Sequence, residues 1–175
     1  MRAATDVTPG LTRARRAATM ACMSSNPRGD TGSADTVETE WHAVLAHRQN
    51  DPEGALEAAI ARLSVAGLTP HDVEAHLIDG GDALYAAATS GDEDWAEAFG
   101  GSRAVALLAA EVSALMSHLV ARAAGVRALG IAELLDDYSA VTVARELGVA
   151  RQKVYGLARS DLSTDFIPTT PWRTS

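Results

Sequence analysis

Apolar residues recur three and four positions apart through most of the chain after residue 35, and hardly at all before it. That spacing is the signature of helices with one buried face. Val37, Trp41, Val44 and Leu45 fall on one face, with Asp35 or Thr36 as the cap. Asn50, Asp51 and Pro52 stop that helix and start another, which buries Leu56, Ile60 and Leu63 and ends near Gly67. Thr69 and Pro70 open a third with Val73, Leu77 and Ile78 inward; a threonine cap followed by proline in the first turn is a strong start signal. Gly80–Gly81 interrupts it, and a continuation runs through Leu84, Tyr85 and Ala88. A short acidic helix with Trp95 and Phe99 one turn apart follows Ser90–Gly91–Asp92.

The longest apolar stripe is Val105, Leu108, Val112, Leu115 and Leu119, on a helix expected over Ser102–Ala124. Three heptads are too few for a free coiled coil, so the pattern favours a central core helix over a dimer seam. Gly125 separates it from a further helix, Ala128–Asp137, with Ile131, Leu134 and Leu135 on its apolar face. No uninterrupted apolar run reaches the length of a membrane span, because Glu111, Ser113, Ser117, His118 and Arg122 break the stretch from Ala104 to Val126.

Residues 140–159, AVTVARELGVARQKVYGLAR, read as two short helices around a tight turn. Val143, Ala144 and Leu147 form the inner face of the first, and Val154 and Leu157 that of the second. Gly148 stands where a left-handed residue costs least, with Val149 as the turn anchor. Arg151, Gln152, Lys153, Tyr155 and Arg159 occupy the remaining faces of the second helix. This stretch resembles the helix-turn-helix of bacterial DNA-binding proteins, with Ala144, Leu147, Gly148, Val149, Val154 and Leu157 on the matching positions. Lys153-Val154-Tyr155 also resembles the recognition helix of excisionase-like and resolvase-like modules. One departure is Ala150, where many such motifs carry a capping Ser or Thr.

The apolar periodicity along the chain, with the resemblance at its C-terminal end, implies an all-α fold: a helical bundle with a C-terminal three-helix helix-turn-helix unit. The implied divisions are a disordered leader over 1–34, an acidic helical domain over 35–125 ending in the long helix, the DNA-binding unit over 126–160, and a tail over 161–175. The first helix of the unit would be 128–137. The tail, with Leu162, Phe166, Ile167 and Trp172, would cover the unit or form a short β-hairpin wing. Arg151, Gln152, Tyr155 and Arg159 would face the major groove of duplex DNA, and Lys153 with Arg145 would hold phosphates.

Charge supports a localised contact. The whole chain carries a formal net charge of -8, which excludes coating nucleic acid by bulk charge. Residues 1–138 hold ten bases and twenty acids, whereas Ser139–Ser160 holds Arg145, Arg151, Lys153 and Arg159 against Glu146 alone. An acidic body with a basic tip suits a binder that touches DNA through the tip. The alternative is that one helical surface is locally basic by chance.

The leader mixes Arg, Ser, Thr, Gly and Pro without periodicity. Its cluster Arg13, Arg15 and Arg16 suits a DNA-contacting arm or a fragment of a targeting peptide, although no apolar signal core accompanies it, and Met20 and Met23 are alternative starts. Fourteen arginines against one lysine indicate GC-rich coding and a bacterial source. Cys22, the sole cysteine, excludes an internal disulfide and fits the cytoplasm.

Metal and catalytic readings are weak. His42 and His47, like His71 and His76, are five apart, a poor spacing for shared ligation on a helix. Glu38–His42 and Asp72–His76 have four-residue spacing, which more simply makes surface ion pairs. Asp92, Glu93, Asp94 and Glu97 suit the first turn of a helix. No phosphate loop, nucleophile turn or catalytic triad can be placed, and Trp41, Trp95 and Tyr85 sit at core spacing. The expectation is therefore a non-enzymatic transcriptional regulator without cofactor or metal. It would be homodimeric through the long helix, with a small-molecule or protein effector at the acidic domain and no membrane partner. Two other readings are a recombination or replication accessory factor of a mobile element, and a helical protein–protein adaptor that does not bind DNA.

Overall fold

A computed structural model describes residues 31–159 and 162–172. Among them the chain is all-α, with seven helices and no strand: α1 Thr31–Val44, α2 Ala55–Val65, α3 Pro70–Ile78, α4 Asp82–Ala88, α5 Ser102–Asp137, α6 Ala140–Leu147 and α7 Arg151–Leu157. Short 3-10 turns lie at Ala46–Arg48 and Glu97–Phe99. The basic cluster at Arg13–Arg16, the alternative starts and Cys22 lie outside the described residues.

Local signals place most boundaries. Thr69 and Asp72 form a reciprocal capping box at the start of α3, with Pro70 at the first helical position. α1 begins at Thr31, so Asp35 and Thr36 lie within the helix instead of capping it. Val37 is exposed, while Trp41 and Leu45 are buried. Pro52 precedes α2, which starts after a left-handed Gly54. Ile78 and Tyr85, expected inward, face solvent. The expected acidic helix is a series of turns followed by the short 3-10 segment, with Asp92 accepting the Asp94 N–H.

The main correction is α5. The helix expected to stop at Ala124 and resume at Ala128 is one element of 36 residues, and Gly125 is buried within it. A glycine inside a helix costs only about 1 kcal/mol relative to alanine, which packing on the surrounding turns readily exceeds. At that length α5 also corrects the expectation of no span-length stretch, for it is long and apolar enough, by length and composition, to cross a membrane. In this fold its first half is a core helix. Leu108 and Leu115 are fully buried among Trp41, Leu45, Leu63, Val73, Leu77 and Leu84, with Val105, Val112 and Leu119 packed against them.

Glu111 interrupts that stripe and is buried too. Arg48 clamps it with two hydrogen bonds, Nε to Oε2 at 2.6 Å and Nη2 to Oε1 at 3.0 Å, and donates a third from Nη1 to Asp51 at 2.7 Å. Burial pushes the Glu111 carboxyl up, but the His47 and Arg48 side chains beside it outweigh that and hold it below the usual glutamate value.

Among the described residues the tail forms no strand and hence no wing, and its long-range hydrogen bonds go to the main core instead of the C-terminal helices. Residues 162–172 return to the N-terminal half, where Gln49 and Asn50 both donate to the carbonyl of Asp165 at 2.8 Å. Ile167 enters the main core. Its N–H donates to His118 Nε2 at 3.1 Å and its carbonyl accepts from Arg122 at 2.6 Å.

Candidate nucleic-acid interface

The C-terminal end of α5, with α6 and α7, builds a second small core. Ile131 comes from α5, Val143 and Ala144 from α6 and Val154 from α7, with Leu134, Leu135, Val149, Leu157 and Ala158 packed around them. Ala144 is the small residue in that contact, and a larger side chain would hold the helices apart. α6 opens on Ser139, whose hydroxyl accepts the Thr142 N–H at 3.3 Å.

It closes on Gly148 at φ 65°. The Val149 N–H reaches the Ala144 carbonyl at 3.0 Å and the Gly148 N–H the Arg145 carbonyl at 3.4 Å, the paired bonds of a Schellman turn. This turn reverses the chain tightly enough for Val143 and Val154 to be fully buried in one core. α7 starts after Ala150, which offers no side-chain acceptor.

All six residues singled out from the sequence are exposed on this unit. Arg151, Gln152, Lys153 and Tyr155 are on α7, Arg145 is in the last turn of α6, and Arg159 follows α7. A helical turn of 3.6 residues puts Gln152 and Gly156 on the side of α7 opposite the buried Val154, with Tyr155 and Lys153 flanking them. Arg151 lies nearer the core side and is exposed because it opens the helix. Arg145 lies on the neighbouring helix, and Arg159 extends the surface beyond the end of α7. Among the described residues none of the four bases is paired with a carboxylate.

Gly156 is a further residue of this outer face, beyond those expected from the sequence. An added Cβ there would meet nothing within 4 Å, so the glycine lowers the outer face of α7 without being required by packing. The signal available in the sequence was its position four residues after Gln152. Leu147, expected inward, is 41% exposed, so Val143 and Ala144 carry the inner face of α6.

The histidine pairs are resolved differently from expectation in one case. His42 faces Glu38 at 4.0 Å, but His76 faces Asp79 at 3.8 Å and not Asp72, whose carboxylate is engaged by Thr69. Among the described residues no group of three potential ligands converges.

Comparison with known proteins gives no match: no family model fits the chain, and no curated protein or solved structure is detectably similar to it.

Proposed function

We propose that this protein binds duplex DNA sequence-specifically through α7 and acts as a transcriptional regulator. The observation that carries the reading is the segregation of charge and exposure. Four unpaired bases and an outward Gln152 sit on a small, separately cored helical unit of a chain that is otherwise acidic. The helix–turn–helix order of α6 and α7, and its likeness in sequence to bacterial DNA-binding motifs, point the same way.

In this reading Gln152 meets base edges, with Arg151 and Tyr155 on one side. Arg145 and Lys153 hold the phosphates on either side of the groove, Arg159 faces the groove beyond the end of α7, and Gly156 lets the helix approach closely. The acidic body repels the rest of the duplex, which confines contact to the tip.

Two copies would bind an inverted repeat, since one such unit contacts few base pairs. The stripe Val105–Leu119 is not the surface for that pairing, because Leu108 and Leu115 are sealed in the core.

The test is selection of random duplexes by the purified full chain, followed by gel shifts across a salt series. A recovered consensus with a steep salt dependence is the expected result. Failure to retain any duplex at low salt would overturn the reading in favour of a protein–protein adaptor.

A further inference from the structure

We propose that the acidic body carries a docking groove for a short apolar segment of a partner protein, flanked by lysine or arginine. Leu84 and Tyr85 of α4, Trp95 of the following connection, and Val105, Ala109 and Val112 of α5 line a groove of 350 Å³. Tyr85 is 74% exposed although the core of its own helix, Leu84, is buried. An aromatic ring held in solvent beside a half-buried tryptophan is the composition of an interaction surface. The turn at Gly81 is pressed onto α5, where an added Cβ would stand 3.4 Å from Val112 Cγ1. The groove therefore lies between two elements in van der Waals contact at one end.

Its dimensions and charge select the occupant. α4 and the Val105–Val112 stretch are each about two helical turns, roughly 10 Å long. That length accepts a pair or trio of apolar anchors spaced three or four apart. No lysine or arginine occurs between Arg62 and Arg103, and Asp79, Asp82 and Asp94 are next in sequence to the lining residues Gly80, Gly81 and Trp95. Glu93 and Glu97 are two residues from Trp95, and Arg103, the one base near the groove in sequence, is two residues before Val105. Asp79 is occupied in hydrogen-bonding the N–H groups of Gly81 and Ala83. Asp82, Glu93 and Asp94 are exposed and have no cationic partner among the described residues. A second copy docking through the same face would oppose acid to acid, whereas a basic, apolar segment satisfies both the groove and its rim. This inference does not rest on the DNA reading.

The probe is a fluorescently labelled leucine–lysine amphipathic peptide of three helical turns, followed by anisotropy against the full chain. A leucine–glutamate peptide of the same pattern serves as control. Expected results are saturable binding of the lysine peptide, little binding of the glutamate peptide, and at least a tenfold loss on Ala109→Lys. That position is exposed, and lysine is well tolerated in helices, so the variant should fold. Ala110→Lys, exposed on the same helix but outside the groove, should lose less than twofold. Combined Asp82→Asn, Glu93→Gln and Asp94→Asn should weaken binding and flatten its salt dependence. Equal effects of Ala109→Lys and Ala110→Lys would overturn the proposal. So would tight binding of the glutamate peptide, or self-association of the unmodified chain that Ala109→Lys abolishes in sedimentation. Arg151→Ala should leave peptide binding unchanged, which separates this result from the outcome of the duplex experiment.

Discussion

The backbone N–H of Ile167 donates to Nε2 of His118, 49 residues earlier in the chain, at 3.1 Å. The bond requires an unprotonated Nε2, and its surroundings favour that state. Burial lowers the His118 pKa, and His47 and the Arg122 guanidinium nearby lower it further. The ring also packs edge-on against Phe166 at 5.2 Å. One histidine thus helps to hold the C-terminal strap on the main core, together with Arg122.

The sign of the resulting pH dependence is fixed. A histidine whose folded pKa lies below its unfolded value of 6.5 contributes stability that is present above 6.5 and lost as pH falls through the folded value. The protection of the Ile167 amide against hydrogen exchange, corrected for the intrinsic pH dependence of exchange, should therefore fall in mildly acidic solution more than protection in the α6–α7 core. His118→Gln should remove much of that acid sensitivity. Equal loss of protection in acid for wild type and His118→Gln would show that His118 does not control the strap.

Glu111→Gln should destabilise the chain by about 2–3 kcal/mol, because it leaves Arg48 without its buried partner while Asp51 remains. A fall in Tm of several degrees, roughly 2–4 °C per kcal/mol, is expected. Since the folded carboxyl is held below its ordinary value, its contribution is present above the unfolded glutamate pKa and is lost as pH falls through the folded one. Urea denaturation at neutral and acid pH checks this: the gap between wild type and variant should narrow in acid.

Gly148→Val should cost about 1–2 kcal/mol through backbone strain alone. The glycine has φ 65°, and an added Cβ would meet nothing within 4 Å. Gly148→Asn should cost less, since asparagine tolerates the left-handed region better. Thermal melts of both variants give the comparison, and similar losses for Val and Asn would point away from strain at this residue.

Arg151→Ala and Gln152→Ala should each leave stability within about 0.5 kcal/mol, since both side chains are exposed. On a selected duplex each should cost about 1–3 kcal/mol if it reads a base, with relaxed preference at one position. Lys153→Ala should weaken binding evenly across sequences and reduce the salt slope by about one. Wild-type affinity in the Arg151, Gln152 double variant would remove α7 from the reading role.

What short-range physics controls was legible in the order of the residues. The capping box at Thr69–Asp72, the left-handed stop at Gly148 and the core positions Val143, Ala144 and Val154 are each set by residues within a few positions of one another. The exposure of Arg145, Arg151, Gln152, Lys153, Tyr155 and Arg159 followed from the same helical period. Tertiary structure alone decided the rest. Gly125 looks like a break locally, but packing along both halves of α5 outweighs its small helix penalty. Glu111 interrupts an apolar stripe, and its burial is explained only by Arg48, 63 residues away. Tyr85 sits at core spacing, yet the neighbouring α5 buries Leu84 and leaves the ring in solvent. The tail has no periodicity to read. Its place was set by backbone groups finding side-chain partners on Gln49, Asn50, His118 and Arg122, contacts between chain segments that no local pattern encodes.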